Sequence, residues 1–425
     1  MKPSVLIATT CRWFTAARLA ISLAHAGFHV DAVCPSRHPI VVTSVVRQPH
    51  GYHGIAPLRS FASAVTATSP DIIVPCDELA LRHLHELYDR AESRGRERPA
   101  VCALIERSLG APKNFEIVCE RTSFMKVAEE EGIRGPRTQV ISNTADLMAW
   151  TARMGFPVVL KSDGTSGGDG VRIARTPQEA ENAFHALQAP PSLARTAKRA
   201  FVDRDARSVW PSMLRNRPVI SAQAFVEGRE ATSTIACWEG TVLAGVHCEV
   251  LNKHYATGPA TVLRLIENAD MSTAAEKIAR RLGLSGIHGL DFMLETDTGK
   301  AHLIEINPRA TQVGHLALGS GRDLPAALYG AVTRNVVHEA PTITDRDTIT
   351  LFPYEWLRNP ASPFIQSSYH DIPWEEPEFI RACVGTRQKE TDLYSQCKAD
   401  QPCRPFASPP VSEGSLSASS PKPTA

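Results

Sequence analysis

Residues 287–312, IHGLDFMLETDTGKAHLIEINPRATQ, constrain the fold more than any other stretch. IHGLDFMLE and AHLIEIN read as two strands flanking TDTGK, whose Asp-Thr-Gly is a turn signal. Period-two alternation puts Asp291, Met293 and Glu295 on one face of the first strand, with Leu290, Phe292 and Leu294 on the other. In the second strand Leu303, Glu305 and Asn307 share a face. A turn over 296–300 pairs Glu295 with Ala301, which sets Asp291 opposite Glu305 and Asn307 one step further along. Like charges facing each other across a ladder are destabilising, and a divalent cation between them removes the conflict. Mg²⁺ takes one or two protein carboxylates and fills its other positions with phosphate and water oxygens. Arg309, just past the strand, is placed to meet an anion beside such a metal. A hairpin with a solvated acidic face is the competing reading of the same residues.

Charge and composition exclude several partners. Lysine and arginine (46) nearly balance aspartate and glutamate (45), and the net charge of +1 gives no general case for nucleic acid or an anionic membrane. No apolar run approaches the roughly 18 residues of a membrane span. The opening MKPSVLIATTCRWF reads as a first strand rather than a signal peptide. Ten cysteines, scattered and without a CxxC pair, point to a reducing cytoplasm.

Along the chain, SVLIA, FHVDAVCP and DIIVPCDE read as buried strands alternating with the helical WFTAARLAISLAHAG and LALRHLHELYDRAE. Such alternation implies a parallel sheet, so the first ~100 residues look like a doubly wound domain. ATTCRW stands where a dinucleotide fingerprint would need GxGxxG. Asp77 is either a helix N-terminal residue or a ligand contact. After the polar ESRGRERP linker, CERTSFMKVAEEEG reads as a helix carrying Arg121 and Lys126, which either reach phosphate or are solvated.

GFPVVLKSDGTSGGDGVRIA is the second strong feature: a strand ending in Lys161, a loop with Gly164, Ser166, Gly167, Gly168 and Gly170, and a returning strand. Glycines let backbone N–H groups turn toward an anion, Ser166 adds a hydroxyl, and a strand-end lysine supplies a point charge for phosphate. The pattern is not a Walker loop, and a plain flexible hairpin is its bland alternative. The arginine-rich 190–217 reads as an insertion or connecting segment. Strands follow over 219–250, and MSTAAEKIARRLGLSG is an amphipathic helix leading into the hairpin. Trp356 and Trp374, in the aromatic- and proline-rich 349–384, are expected to pack on the main domain, and the Ser/Pro/Lys-rich tail from 386 lacks the apolar residues to fold.

Together these features resemble the ATP-grasp superfamily of carboxylate–amine and carboxylate–thiol ligases over roughly residues 1–340, closest to the biotin carboxylase and carbamoyl phosphate synthetase branch. The resemblance implies an α/β fold: an N-terminal doubly wound parallel-sheet domain (1–110), an α+β ATP-grasp domain of two subdomains (111–340), a C-terminal appendage (341–385) and a disordered tail (386–425). It implies ATP with Mg²⁺, or Mn²⁺ in its place, held by Asp291, Glu305 and Asn307, with Arg309 beside the reacting phosphoryl or acyl group. Arg121 matches the early basic phosphate contact, Lys161 the lysine on the α- and β-phosphates, and Gly164 to Gly170 the loop closing over the triphosphate. In AQAFVEGRE, Ala224 and Val226 would cradle adenine through backbone groups and Glu230 would take the ribose hydroxyls. Gln223 departs from the pattern, standing where an acidic residue is common. A biotin-bearing lysine between methionines, a second ATP-grasp copy and a glutaminase nucleophile are missing from the sequence.

The expected activity is ATP-dependent activation of a small-molecule carboxylate as an acylphosphate, joined to an amine, with no nucleic-acid or membrane partner and with a homodimer as the assembly the family suggests. A kinase or carboxylase using the same site, and an ATP sensor without turnover, are the alternatives. Tyr255, Thr257, Thr311, Gln312 and His315 are candidates to face the substrate.

Overall fold

A computed structural model describes residues 2–93, 100–163, 170–189, 218–256, 258–335 and 341–385. Gly164, Ser166, Gly167, Gly168, Thr257, the arginine-rich 190–217 and the tail from 386 lie outside these residues.

The first sheet contains β1 (Ser4–Ala8), β2 (His29–Cys34), β3 (Val46–Gly51) and β4 (Ile72–Pro75), in the order β3-β2-β1-β4, with parallel pairing throughout. The apolar runs of β1 and β4 are buried because helices cover the sheet. Edge strand β3, VRQPHG, is largely exposed and has no apolar pattern by which to read it. The strand order reverses between β1 and β4, where an open parallel sheet forms a crevice beyond its carboxyl ends. Asp77 organises that crevice. It caps helix Glu78–Glu92 by accepting from the Ala80 N–H at 2.9 Å. It also accepts from the Thr9 hydroxyl and from the Thr10 N–H and hydroxyl at 2.9, 2.6 and 2.7 Å. Asp77 is therefore the helix N-terminal residue of the two alternatives.

The second sheet is antiparallel: β5 (Thr138–Ile141), β6 (Val158–Ser162), β7 (Val171–Ala174) and β8 (Ile220–Ala224), ordered β5-β8-β6-β7. Helices Thr144–Met154 and Pro177–Gln188 cover one face, burying Leu147, Trp150, Phe184, Val158 and Leu160 together. Val159 and Lys161 alternate with these positions and so occupy the other face.

The third sheet has the order β13-β12-β9-β10-β11-β14-β15, from β9 (Gly228–Trp238), β10 (Thr241–Lys253), β11 (Ala260–Leu265), β12 (Gly286–Glu295), β13 (Ala301–Asn307), β14 (Thr348–Leu351) and β15 (Tyr369–Asp371). Helices Arg121–Glu130 and Ala269–Leu282 pack on it around Leu290, Phe292, Leu294 and Leu303. The segment after residue 341 adds β14 and β15 to this sheet and shares one core with the first sheet, including Val5, Ile349, Trp356 and Phe379; Trp374 packs against it.

The hairpin forms with a difference in register. Leu294, not Glu295, pairs with Ala301, and a bulge at Ile304 then restores Asp291 opposite Glu305. A bulge places two residues against one, so Leu303 does not share the face of Glu305. Leu303 pairs with Phe292 and is fully buried, while Glu305 faces the cleft. Simple alternation misses this because the extra residue resets the phase. Replacing Asp77 with alanine removes a cap and strands buried donors on Thr9 and Thr10. The expected loss is about 2–4 kcal/mol, read from the urea unfolding midpoint.

Candidate active site

Three adjacent strands of the third sheet build an acidic wall. Thr232 on β9, Asp291 on β12 and Glu305 on β13 lie directly opposite one another. Thr232 donates its hydroxyl to Asp291 at 3.0 Å, and the Asn307 side-chain amide donates to the second Asp291 oxygen at 2.9 Å. Burial, and then the charge of Glu305, pushes the Asp291 carboxyl from 3.8 up to about 6. Burial works against ionisation of Glu305 too, but Lys161 and Arg121 outweigh it and hold that carboxyl below its ordinary range. Gly289, paired with Asn307, is required here: a Cβ would lie 2.4 Å from the Thr311 side chain in the loop that follows.

Basic groups arrive from two other elements. Lys161 on β6 is buried and lies 3.7 Å from Glu305; burial chiefly pulls its ammonium below the usual range, against the attraction of Glu305. Arg121 opens helix Arg121–Glu130 and forks between Glu305, at 3.0 and 3.3 Å, and Asp163, at 2.9 Å. Asp163 begins the glycine-rich segment. Burial raises its carboxyl pKa although Arg121 draws it down. These ion pairs leave a cleft of only about 50 Å³, lined by Glu78, Arg121, Asp163, Glu305, Asn307 and Arg309.

The uncovered face of the second sheet stands over this wall. Gln223 is buried and donates to the Thr138 hydroxyl at 3.0 Å and to the Ile304 carbonyl at 3.5 Å, tying the two sheets together. Strand pairing puts Val140, Val159, Val171 and Ile173 on the same face as Lys161 and Gln223. Val140 and Ile173 are 40% and 42% exposed, an apolar surface beside charges. Ala224 is half-buried, and its N–H is already bonded to the Arg137 carbonyl at 2.9 Å. Val226 is half-buried between β8 and β9. Glu230 is exposed on the Asp291 side of β9 and pairs with Lys253 at 2.6 Å. Gly170 is buried and its carbonyl accepts from the Ser162 N–H.

Arg309 leaves β13 and turns back, donating to the Asn307 side-chain oxygen at 3.3 Å and the Ala310 carbonyl at 3.2 Å. Its guanidinium carbon lies 5.8 Å from the centre of the Trp13 ring. Of the residues expected to face substrate, Tyr255 is 46% exposed. Thr311 bonds Thr234, Gln312 bonds the Ala260 carbonyl, and buried His315 bonds Asp371 at 2.6 Å, so these three serve internal contacts. Lys126 is exposed, its solvated alternative. Thr232, Asp163, Lys253 and Trp13 were not foreseen. Asp163 adjoins Gly164 in the glycine-rich run, and a charge beside a phosphate-binding pattern is the signal that could have found it; Lys253 meets Glu230 only through the fold, 23 positions away.

Residues 121–313 match a family described as the ATP-grasp domain. They form an ATP-grasp domain. Among curated relatives, the chain is 26% identical over 289 residues to the carbamoyl phosphate synthase arginine-specific large chain of Geobacillus stearothermophilus, covering 64% of this chain and 23% of that protein. It is 25% identical over 200 residues to the carbamoyl phosphate synthase large chain of Thermus thermophilus, covering 47% and 18%. These matches span less than a quarter of those proteins' length. The biotin carboxylase domain dimer of Hydrogenobacter thermophilus 2-oxoglutarate carboxylase, solved with MgADP, ADP and bicarbonate, shares the fold with a TM-score of 0.55 at 14% identity, over 80% of this chain and 71% of that one. Staphylococcus aureus N5-carboxyaminoimidazole synthetase with ADP does so with a TM-score of 0.56 at 13% identity, over 80% of each chain. The N-terminal parallel sheet and the two sheets of the ATP-grasp domain agree with the fold class expected from sequence.

Two outcomes follow for the domain. Because the Asp291 pKa is raised on folding, its protonated form stabilises the metal-free protein in acid, and that contribution is lost as pH rises through about 6. Thermal unfolding of the parent should therefore lose more stability across that window than Asp291→Asn does. Asp163→Asn frees one arm of Arg121 from an internal competitor, so MgATP should bind about fivefold tighter, roughly 1 kcal/mol for a partly exposed pair.

Proposed function

We propose that this protein is an ATP- and Mg²⁺-dependent, ADP-forming ligase that activates a substrate carboxylate as an acylphosphate and joins it to an amine. The observation that carries this reading is the acidic wall of Asp291, Glu305 and Asn307 facing Lys161 and Arg121 across the cleft of an ATP-grasp domain. The donor set fits Mg²⁺: two carboxylates, one of them pushed up first by burial and then by the charge of the other, with the Asn307 amide oxygen joining them once that amide turns from its present partners Asp291 and Arg309. Once bound by Asp291, Glu305 and Asn307, the ion would neutralise charge on the β- and γ-phosphates.

The chain's own groups supply the rest. Lys161 is a buried point charge for the phosphates of the leaving ADP. Arg121 exchanges its carboxylate partners for phosphate oxygens. The glycine-rich segment 164–170 contributes N–H donors and the Ser166 hydroxyl. The apolar face of Val140, Val159, Val171 and Ile173 takes the adenine ring, with the chain at Ala224 and Val226 along its edge. Because the Ala224 N–H is already bonded, its carbonyl is the group available there. Glu230 exchanges Lys253 for the ribose hydroxyls. A substrate carboxylate attacks the γ-phosphorus, ADP leaves, and Arg309 balances charge on the acylphosphate. An amine then displaces phosphate, and exclusion of water protects the intermediate until it does.

A bicarbonate-using carboxylase is the second reading, favoured by the bicarbonate in the Hydrogenobacter complex of the same fold. Incubating the full chain with MgATP and pooled carboxylic acids and amino acids, with and without bicarbonate, separates the readings. Amine-dependent release of ADP and phosphate supports the ligase, and bicarbonate-dependent release the carboxylase. ADP without phosphate identifies a kinase, and MgATP binding without turnover a sensor. Glu305→Gln should lower turnover on the order of a hundredfold or more while keeping the parent's circular dichroism spectrum. Near-parental turnover in that variant would sink the metal assignment.

A further inference from the structure

Arg309 is the group assigned to the reacting phosphoryl, yet among the described residues no carboxylate is in hydrogen-bonding contact with it; Asp291 and Glu305 feel its charge only from further off. Its side chain has two long hydrogen bonds, at 3.2 and 3.3 Å, both to residues within two positions of itself. Among the described residues, the group distant in sequence that lies against its guanidinium is the Trp13 ring, at 5.8 Å, from the loop after β1 where a dinucleotide fingerprint would stand. The Trp13 indole N–H is buried with no hydrogen-bond partner among the described residues. No hydrogen bond therefore sets the ring, and its position depends on what its faces touch. Tyr354, from the C-terminal segment, lies against it with centroids 6.4 Å apart. Tyr354 is itself held by an edge contact to Phe14 at 5.9 Å and by the Thr15 hydroxyl at 3.3 Å.

The same C-terminal segment grips both sides of this stack a second time. Asp371 on β15 is buried and bonds Arg18, on the helix that Trp13 caps. Its other oxygen bonds His315, six residues past Arg309 in the loop that leaves β13. One carboxylate thus ties the helix behind Trp13 to the loop behind Arg309.

We propose that Trp13 is the positioning residue for Arg309, and that the C-terminal segment 348–384 acts on the reaction centre by holding Trp13 and the Arg309 loop in register. A cation over an aromatic face is oriented without being neutralised, which leaves the guanidinium its full charge for an anion. A carboxylate in place of Trp13 would hold Arg309 more tightly but compete with the phosphoryl group for it. The inference rests on the ligase reading's assignment of Arg309.

The test uses the full chain, first titrated with MgADP and then, saturated with it, with inorganic phosphate, both by calorimetry. Trp13→Ala should weaken phosphate about tenfold while MgADP affinity stays within about twofold. Trp13→Phe keeps a ring face and discards only an unpartnered N–H, so it should stay within about threefold of the parent. Tyr354→Ala, which touches neither ligand, should weaken phosphate about threefold. Adding Trp13→Ala to Arg309→Ala should cost nothing further, since the residue acts only through Arg309. Parental phosphate affinity in Trp13→Ala, equal losses for phosphate and MgADP, or additivity with Arg309→Ala would each overturn the inference. A parent that binds MgADP but no phosphate overturns it as well, whereas a parent that binds no MgADP overturns the ligase reading beneath it.

Discussion

Asp291 and Glu305 face each other across an antiparallel ladder, and the site depends on how that repulsion is met. Directly opposed like charges destabilise a sheet unless something lies between or beside them. Here the two are met differently. Glu305 keeps its charge because Arg121 and Lys161 reach it from outside the sheet. Among the described residues Asp291 has neutral hydrogen-bond donors, Thr232 and Asn307, and burial with the charge of Glu305 pushes its carboxyl toward the protonated form despite Arg309. One satisfied and one frustrated carboxylate is the pair that the cation of the proposed function would complete. The groups that quiet Glu305 are also those a triphosphate would recruit.

That arrangement explains why the chain needs three sheets at one place. The third sheet carries the acids, the second brings Lys161 and an uncovered apolar face, and the first closes the far side with Trp13 and Glu78. Besides the Lys161–Glu305 and Arg18–Asp371 ion pairs, three hydrogen bonds close to the site join these parts: Gln223 to the Ile304 carbonyl, the Ala310 N–H to the Pro75 carbonyl, and the Leu303 N–H to the Arg134 carbonyl. All three fall on the strand and loop containing Glu305 and Arg309. The bulge at Ile304 belongs to the same logic. It turns Leu303 into the core and leaves Glu305 in the cleft, serving packing and chemistry within three residues.

Much of this was legible in the sequence, because it is written in local patterns. Alternation in IHGLDFMLE separated Asp291 from the core-facing Leu290 and Phe292, and PVVLK before a glycine-rich run marked Lys161 as a strand-end cation. The Asp291–Glu305 pairing was read correctly even though the turn is one residue out of the expected register, since the bulge compensates for the turn. The face of Leu303 was not legible for the same reason: an inserted residue changes phase without changing composition. Thr311, Gln312 and His315 looked like substrate contacts because they follow the acidic strand, yet each meets a residue far away in sequence.

The sequence by itself determined which chemistry the chain carries and in what order. Strand period, glycine content and the placement of lysine or carboxylate are properties of a few neighbouring residues. Only the tertiary structure decided what stands across from each group. Arg121 and Glu305 are 184 positions apart, Thr232 and Asp291 are 59 apart, and Arg18 and Asp371 are 353 apart. Periodicity tells which way a side chain faces but not which element will face it. That is set by how the three sheets pack, and it is what turns an acidic hairpin into a wall of the Arg121–Lys161 cleft and a lone tryptophan into the support of Arg309.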